Sequence, residues 1–280
     1  MPSMKRIGVI TNGIDPDNTL AAIEAAKQMQ MGYVDLRIVF GHVIETATPE
    51  EIHRIADACA AAELDVDIVY SSYGKCPVAD MTSPKELDTL RAAMSAARAL
   101  KAGRVRFFPG FYNPAVNEAE AAMKAVRQAV AIAEKEGVVL AMETETCNWS
   151  REPDFMKRCF DEITSDHLKI LFDPSNLYLS GKDVIEAWNL MKRHTISIHV
   201  KDAAITARET WRNGGFIRGG GYNWVTLGDG EVPWKTLVEQ IQRDGYEGNF
   251  GIELHFSPGA ALVGVNLGRL KAFLGIKSPR

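Results

Sequence analysis

Short apolar runs alternate with amphipathic stretches eight times along this chain. The runs are Arg6–Thr11, Tyr33–Phe40, Leu64–Tyr70, Arg104–Phe108, Val138–Glu143, Leu168–Asp173, Thr195–Val200 and Asn249–Leu254. Most are rich in β-branched and aromatic residues and have the length of a buried strand. The stretches between them carry helix-start and helix-stop signals. Asp17 or Asn18 can cap a first helix that runs to about Met31 and closes at Gly32. Thr48-Pro49, Ser83-Pro84 and Asn113-Pro114 open the next three, the last two of which end at Gly103 and Gly137. Helices over Pro153–Thr164, Gly181–Lys192 and Pro233–Arg243 continue the alternation, and a final one follows Pro258.

Strands that alternate with helices imply a parallel sheet with helices outside it. Eight such units in 280 residues match a closed (β/α)8 TIM barrel, an α/β fold filling residues 1–280 as a single domain. The competing architecture is an open doubly wound sheet. Its dinucleotide-binding form is disfavoured, because the first loop, Thr11-Asn12-Gly13-Ile14-Asp15, lacks the GxGxxG fingerprint. One segment breaks the rhythm. Residues 203–232, after the seventh strand, have no clear helix or strand period and are rich in glycine. They read as a long loop insertion holding Trp211, Tyr222 and Trp224, which could wall or cover a pocket.

Composition narrows the setting. Hydrophobic residues make up 46% and charged residues 24%, the balance of a soluble globular protein. A net charge of −4 gives no general attraction to nucleic acid or to anionic membranes. No apolar run approaches the roughly 20 residues that span a bilayer. The four cysteines contain no CxxC pair and read as reduced thiols. The N-terminus does not resemble a secretory signal, so a cytoplasmic protein is expected.

The chemistry lies at the strand ends. In such a barrel the C-terminal strand ends and the loops after them form the active face. The fifth to eighth strands deliver Glu143, Asp173, His199 and Glu253 at or near those ends. Each residue alone has an ordinary explanation. A strand-end glutamate can pair with a lysine, Asp173-Pro174 can be a turn, and a histidine in an apolar strand can be a hydrogen-bonded core residue. Four at corresponding places in successive units point instead to one metal site. Three carboxylates and an imidazole suit a hard or borderline divalent ion such as Mn²⁺, Mg²⁺ or Co²⁺. Zn²⁺ usually takes fewer carboxylates. Such an ion can hold two neighbouring oxygens of a hydroxy-ketone and ease removal of the proton beside the carbonyl. Glu143 and Glu253 could then take and return that proton.

Five stretches carry a family resemblance: Val-Val-Leu-Ala-Met-Glu at 138–143, Ile-Leu-Phe-Asp-Pro-Ser-Asn at 170–176, Ile-His-Val-Lys-Asp at 198–202, Leu-Gly-Asp-Gly-Glu-Val-Pro-Trp at 227–234, and Gly-Tyr-Glu-Gly-Asn-Phe-Gly-Ile-Glu at 245–253. Together they resemble the xylose isomerase-like TIM barrels, a group of sugar isomerases and epimerases that also contains endonuclease IV. The resemblance implies that Glu143, Asp173, His199 and Glu253 bind one divalent metal, manganese first among the choices. It implies that Glu143 and Glu253 move the proton of a small sugar or keto-sugar in carbohydrate metabolism. A homodimer or homotetramer is the expected assembly. The alternative reaction is dehydration of a keto-polyol on the same metal. An endonuclease IV-like phosphodiesterase is disfavoured, because Asn176 stands where that enzyme has a metal-binding histidine and the further Asp-x-His is missing. Asn176, Lys201, Arg218 and His42 are the expected substrate-binding residues. Lys201 could equally pair with Asp202. Arg218 could be a solvated loop residue and His42 a surface histidine.

Overall fold

The structure, a computed structural model, describes residues 6–212, 215–255 and 259–276, and for 207–212 and 215–220 the backbone alone. Its strands are β1 (Ile7–Ile10), β2 (Tyr33–Leu36), β3 (Ile38–Val39), β4 (His42–Val43), β5 (Asp65–Tyr70), β6 (Arg104–Phe107), β7 (Val139–Glu143), β8 (Leu168–Phe172), β9 (Thr195–Val200), β10 (Asp202–Arg212), β11 (Gly215–Val225) and β12 (Asn249–Ile252). Eight of them close into a parallel barrel in the order β1-β12-β9-β8-β7-β6-β5-β2. Closure is direct: Ile7 of β1 stands opposite Phe250 of β12, and Gly8 stands opposite Tyr33 of β2. The predicted fold class is the observed one.

The helices are α1 (Thr19–Gln28), α2 (Pro49–Ala62), α3 (Pro84–Ala99), α4 (Ala119–Glu136), α5 (Pro153–Glu162), α6 (Pro174–Leu179), α7 (Val184–Met191), α8 (Trp234–Arg243) and α9 (Gly259–Leu274). Side chains cap the starts of α1, α2, α3, α6 and α7. Thr48 and Glu51 form a reciprocal capping box on α2 with Pro49 in the first turn, an arrangement worth about 1 kcal/mol. Ser83 accepts from the Glu86 amide at the head of α3. Three expected boundaries move. Helix α4 begins at Ala119 rather than Asn113-Pro114, because the Asn113 side chain accepts from the Ala115 amide and makes a local turn. The second strand stops at Leu36, and the chain folds into the β3–β4 hairpin with Phe40 at φ 50°. Gln30, at φ 59°, takes the left-handed position expected of Gly32, whose amide instead donates to Ile7 in the barrel.

Alternation along the strands divides the side chains in two. Val105 and Phe107, Leu140 and Met142, Ile170 and Phe172, and Ile198 and Val200 join the large apolar layer shared with the helices. Ile10, Ile68, Tyr70, Ala141 and Leu171 form a second, smaller cluster. Glu143 and Asp173 fall two residues beyond Ala141 and Leu171, on the same side as that second cluster. The period-2 rule therefore aims both into the barrel mouth. Arg106, His199 and Glu253 share this parity, each being flanked by residues of the outer layer.

The insertion corrects the sequence reading. It is largely a two-stranded antiparallel ribbon, β10 against β11, paired from Asp202–Val225 to Arg212–Gly215 with irregular register near Ala207. Its strand formers include Ile205, Thr206, Thr210 and Trp211 on one arm and Phe216, Ile217, Tyr222 and Trp224 on the other. The glycines of the second arm dilute that signal, since glycine is depleted in strands. Asp202 clamps the ribbon base: its carboxylate accepts from the amides of Ala203 at 2.8 Å, Gly228 at 2.8 Å, Gly230 at 3.1 Å and Val232 at 3.3 Å. Asp202→Ala would orphan these donors. The expected loss is on the order of 2–4 kcal/mol of unfolding free energy, measured by urea denaturation.

Candidate metal centre

Four barrel strands bring Glu143, Asp173, His199 and Glu253 together at the mouth. One ligand atom from each lies within 4.8 Å of all the others, and all four side chains are buried. Among the described residues this is the one such group of three or more histidine, cysteine or acidic side chains. His199 Nδ1 is the meeting point. It stands 3.1 Å from Glu143 Oε1, 3.2 Å from Asp173 Oδ2 and 3.3 Å from Glu253 Oε2. The other ring nitrogen, Nε2, is 2.7 Å from the Tyr70 hydroxyl. Asp173 is fixed from the main chain: its carboxylate accepts from the Asn176 amide at 2.9 Å as the cap of α6. The aspartate before Pro174 is thus both a turn residue and a member of the cluster.

Two further cations flank the carboxylates. Arg106 Nη1 lies 3.0 Å from Glu143 Oε2, with both side chains buried. Lys201 Nζ lies 2.7 Å from Asp173 Oδ2 and 2.6 Å from Glu253 Oε2. Burial alone would neutralise these groups, and the mutual attractions outweigh it. Burial pulls His199 down, but Glu253, Glu143 and Asp173 raise it to about 10. Burial pushes Glu143 up, but His199 and Arg106 lower it to about 2. Glu253 is likewise held well below the usual carboxylate range by Lys201, His255 and His199 against burial. Lys201 is held above the ordinary lysine value by Asp173 and Glu253, also against burial.

The other expected residues part company. Asn176 Nδ2 donates to Asp173 Oδ2 at 3.1 Å and to the Thr144 carbonyl at 3.0 Å, so its amide braces a cluster member. Lys201 turns to the cluster and not to Asp202, whose carboxylate serves the ribbon base. His42 bonds Thr46 Oγ1 at 3.0 Å and Glu51 Oε1 at 3.1 Å beside the start of α2, and the structure does not join it to the four. Arg218 lies in β11 opposite Glu209, and its side chain is outside the described residues, as is that of Trp211. The ribbon still reaches the site. The Trp224 ring stacks on His255 at 4.9 Å and lies 4.8 Å from Lys201 Nζ, while His255 Nε2 is 3.4 Å from Glu253 Oε1.

Arg106, Tyr70 and Asp35 are absent from the sequence reading. A signal exists for Arg106, a charged residue inside the apolar run Val105-Arg106-Phe107 of a strand, the same cue that marks His199. Asp35 carries the same cue, an acidic residue between Val34 and Leu36, whereas Tyr70 carries none, since a strand tyrosine is ordinary.

The model of the xylose isomerase-like TIM barrel matches residues 23–272. The chain belongs to that family. A relative, the inosose dehydratase of Lacticaseibacillus casei, is 30% identical over 99 residues, which cover 34% of this chain and 33% of that protein. The match thus spans about a third of the relative's length. The 3-keto-D-glucoside 4-epimerase YcjR of E. coli superposes with a TM-score of 0.72 at 15% identity, over 95% of this chain and 99% of that one. A xylose isomerase-like TIM barrel protein from Mycobacterium smegmatis, solved in complex with magnesium, gives 0.68 at 14% identity, over 92% and 89%. At these identities the solved structures speak for the fold. The buried four-residue group could hold a metal ion.

The cluster predicts a two-sided pH profile for the metal-free protein. The lowered Glu143 contributes stability that is present above its ordinary value of 4.5 and lost as pH falls toward about 2. The raised His199 contributes stability that is full below its ordinary value of 6.5 and lost as pH rises through about 10. Thermal unfolding in chelator across this range should fall on both sides, and His199→Gln should flatten the alkaline side.

Proposed function

We propose that the protein is a divalent-metal-dependent isomerase or epimerase of a small sugar or keto-sugar, moving a proton at the carbon beside a carbonyl. The observation that carries this reading is the convergence of Glu143, Asp173, His199 and Glu253 on one buried point at the strand ends. The donor set fits an ion. Three carboxylate oxygens surround one imidazole nitrogen at 3.1–3.3 Å, and a carboxylate-rich set of this kind favours Mn²⁺, Mg²⁺ or Co²⁺ over Zn²⁺. When bound, the ion supplies Lewis-acid polarisation of the substrate carbonyl and its neighbouring oxygen.

The rest of the chemistry belongs to side chains. Glu143 on β7 and Glu253, just beyond β12, are separated in the ring by β8 and β9. They approach the shared point from two directions, as proton transfer on two sides of one carbon requires. Both are held ionised, so either can serve as base. Arg106 fixes Glu143 in orientation. Lys201, beside Glu253, is placed to donate a hydrogen bond to a substrate oxygen. Trp224 and His255 form the ribbon-side wall next to it. The four free thiols fit a reducing, cytoplasmic setting as part of the same proposal.

Dehydration of a keto-polyol is the second reading. Two observations favour it: the local match to inosose dehydratase, and the Lys201 ammonium and the His255 ring beside Glu253, polar groups that could hydrogen-bond a departing hydroxyl. Both reactions begin with removal of the same proton.

Proton exchange tests the shared step. With Mn²⁺ and a panel of ketoses and inososes in deuterated water, Glu143→Gln should slow deuterium entry by roughly 10²–10⁴-fold while the circular dichroism spectrum is kept. Unchanged exchange would overturn the assignment. Product mass separates the two readings, since a dehydratase product is lighter by one water. Metal removal should abolish turnover, and His199→Gln should weaken Mn²⁺ binding by on the order of 100-fold in calorimetry.

A further inference from the structure

Tyr70 ends β5, which stands directly opposite β9 in the eight-strand ring. Its side chain reaches across the barrel to His199, with the hydroxyl 2.7 Å from Nε2. The same hydroxyl donates to Asp35 Oδ2 at 3.1 Å, and Asp35 Oδ1 accepts from the Ile68 amide at 2.9 Å. A phenol has one hydrogen. With that hydrogen given to Asp35, the phenol oxygen accepts from the Nε2–H of His199. Nδ1 is then left to face Glu143, Asp173 and Glu253.

The ring of Tyr70 does a second thing. It lies 4.6 Å from the guanidinium carbon of Arg106, whose other aromatic neighbour, Phe108, is at 4.8 Å. Arg106 in turn bonds Glu143. One tyrosine therefore touches two arms of the cluster, His199 through its hydroxyl and Glu143 through its ring and Arg106. Room for this is made on β12. A Cβ added at Gly251 would come 3.0 Å from Asp35 Oδ2 and 3.9 Å from the Tyr70 hydroxyl. Tyr70 and Asp35 are themselves fully buried.

We infer that Tyr70, held by Asp35, is a positioning residue that sets the His199 and Glu143 arms of the metal centre before an ion arrives. This rests on the metal reading of the cluster. The rival view makes Tyr70 a filler of the barrel interior. The two views differ for Tyr70→Phe, which keeps the ring against Arg106 and removes only the hydroxyl.

The test uses metal-stripped full-length protein, titrated with Mn²⁺ in a calorimeter and with Co²⁺ in the visible spectrum. Tyr70→Phe is expected to weaken Mn²⁺ binding by roughly 10–100-fold, the effect typical of losing a partner behind a ligating histidine. It should also shift the Co²⁺ absorption bands. Asp35→Asn, which leaves Tyr70 in place, should weaken Mn²⁺ in the same direction. Gly251→Ala, which crowds Asp35, should do likewise. A Tyr70→Phe protein that matches the wild type within about twofold, with the same Co²⁺ spectrum, overturns the positioning role and leaves the metal reading standing. A wild-type protein that binds neither ion overturns both.

Discussion

Three carboxylates brought to one buried point repel each other, and everything around the barrel mouth answers that repulsion. Two unit charges 4 Å apart interact by about 4 kcal/mol at the effective dielectric of a protein interior. Glu143, Asp173 and Glu253 are therefore untenable without compensation. The chain supplies it from fixed positions: Arg106 on Glu143, Lys201 on Asp173 and Glu253, and the His199 ring among all three. These groups come from β6, β7, β8, β9 and β12 or their ends, His199 and Lys201 sharing β9. The parallel barrel is the device that lets groups far apart in sequence face one another at fixed height.

The seventh unit shows how two adjacent residues divide two tasks. Lys201 and Asp202 follow one another at the end of β9, and alternation sends them apart. Lys201 turns inward to the carboxylates. Asp202 turns to the base of the ribbon and gathers amides from Gly228, Gly230 and Val232. The ribbon it secures carries Trp224 back over Lys201 and His255. A departure from the repeating pattern thus becomes one wall of the site, anchored at Asp202, just past the strand that carries the cluster histidine.

Support for the cluster is graded in depth. At the surface of the mouth, Trp224 and His255 are partly exposed; behind the four acidic and imidazole groups, Arg106, Tyr70 and Asp35 are buried. The deeper groups approach from β2, β5 and β6, the half of the barrel that contributes none of the four cluster members. One half of the ring presents the four cluster residues and the other half braces them.

Much of this was written in the residue order. Eight apolar runs at regular intervals determine an alternating α/β architecture, because each buried strand needs a covering helix. Strand parity and the rule that barrel strands present their ends on one face mark Glu143, Asp173, His199 and Glu253 as companions. Other features depend on contacts that no local pattern encodes. Glycines mask the paired ribbon, whose strands exist because they hydrogen-bond to each other. Lys201 chooses Glu253 and Asp173 over its neighbour Asp202, and His42 chooses Glu51, for reasons visible only once the elements are packed. Tyr70 meets His199 because ring closure sets β5 against β9, a relation with no trace along the chain. The sequence by itself determined which chemistry could gather; the closed barrel decided which groups hold it in place.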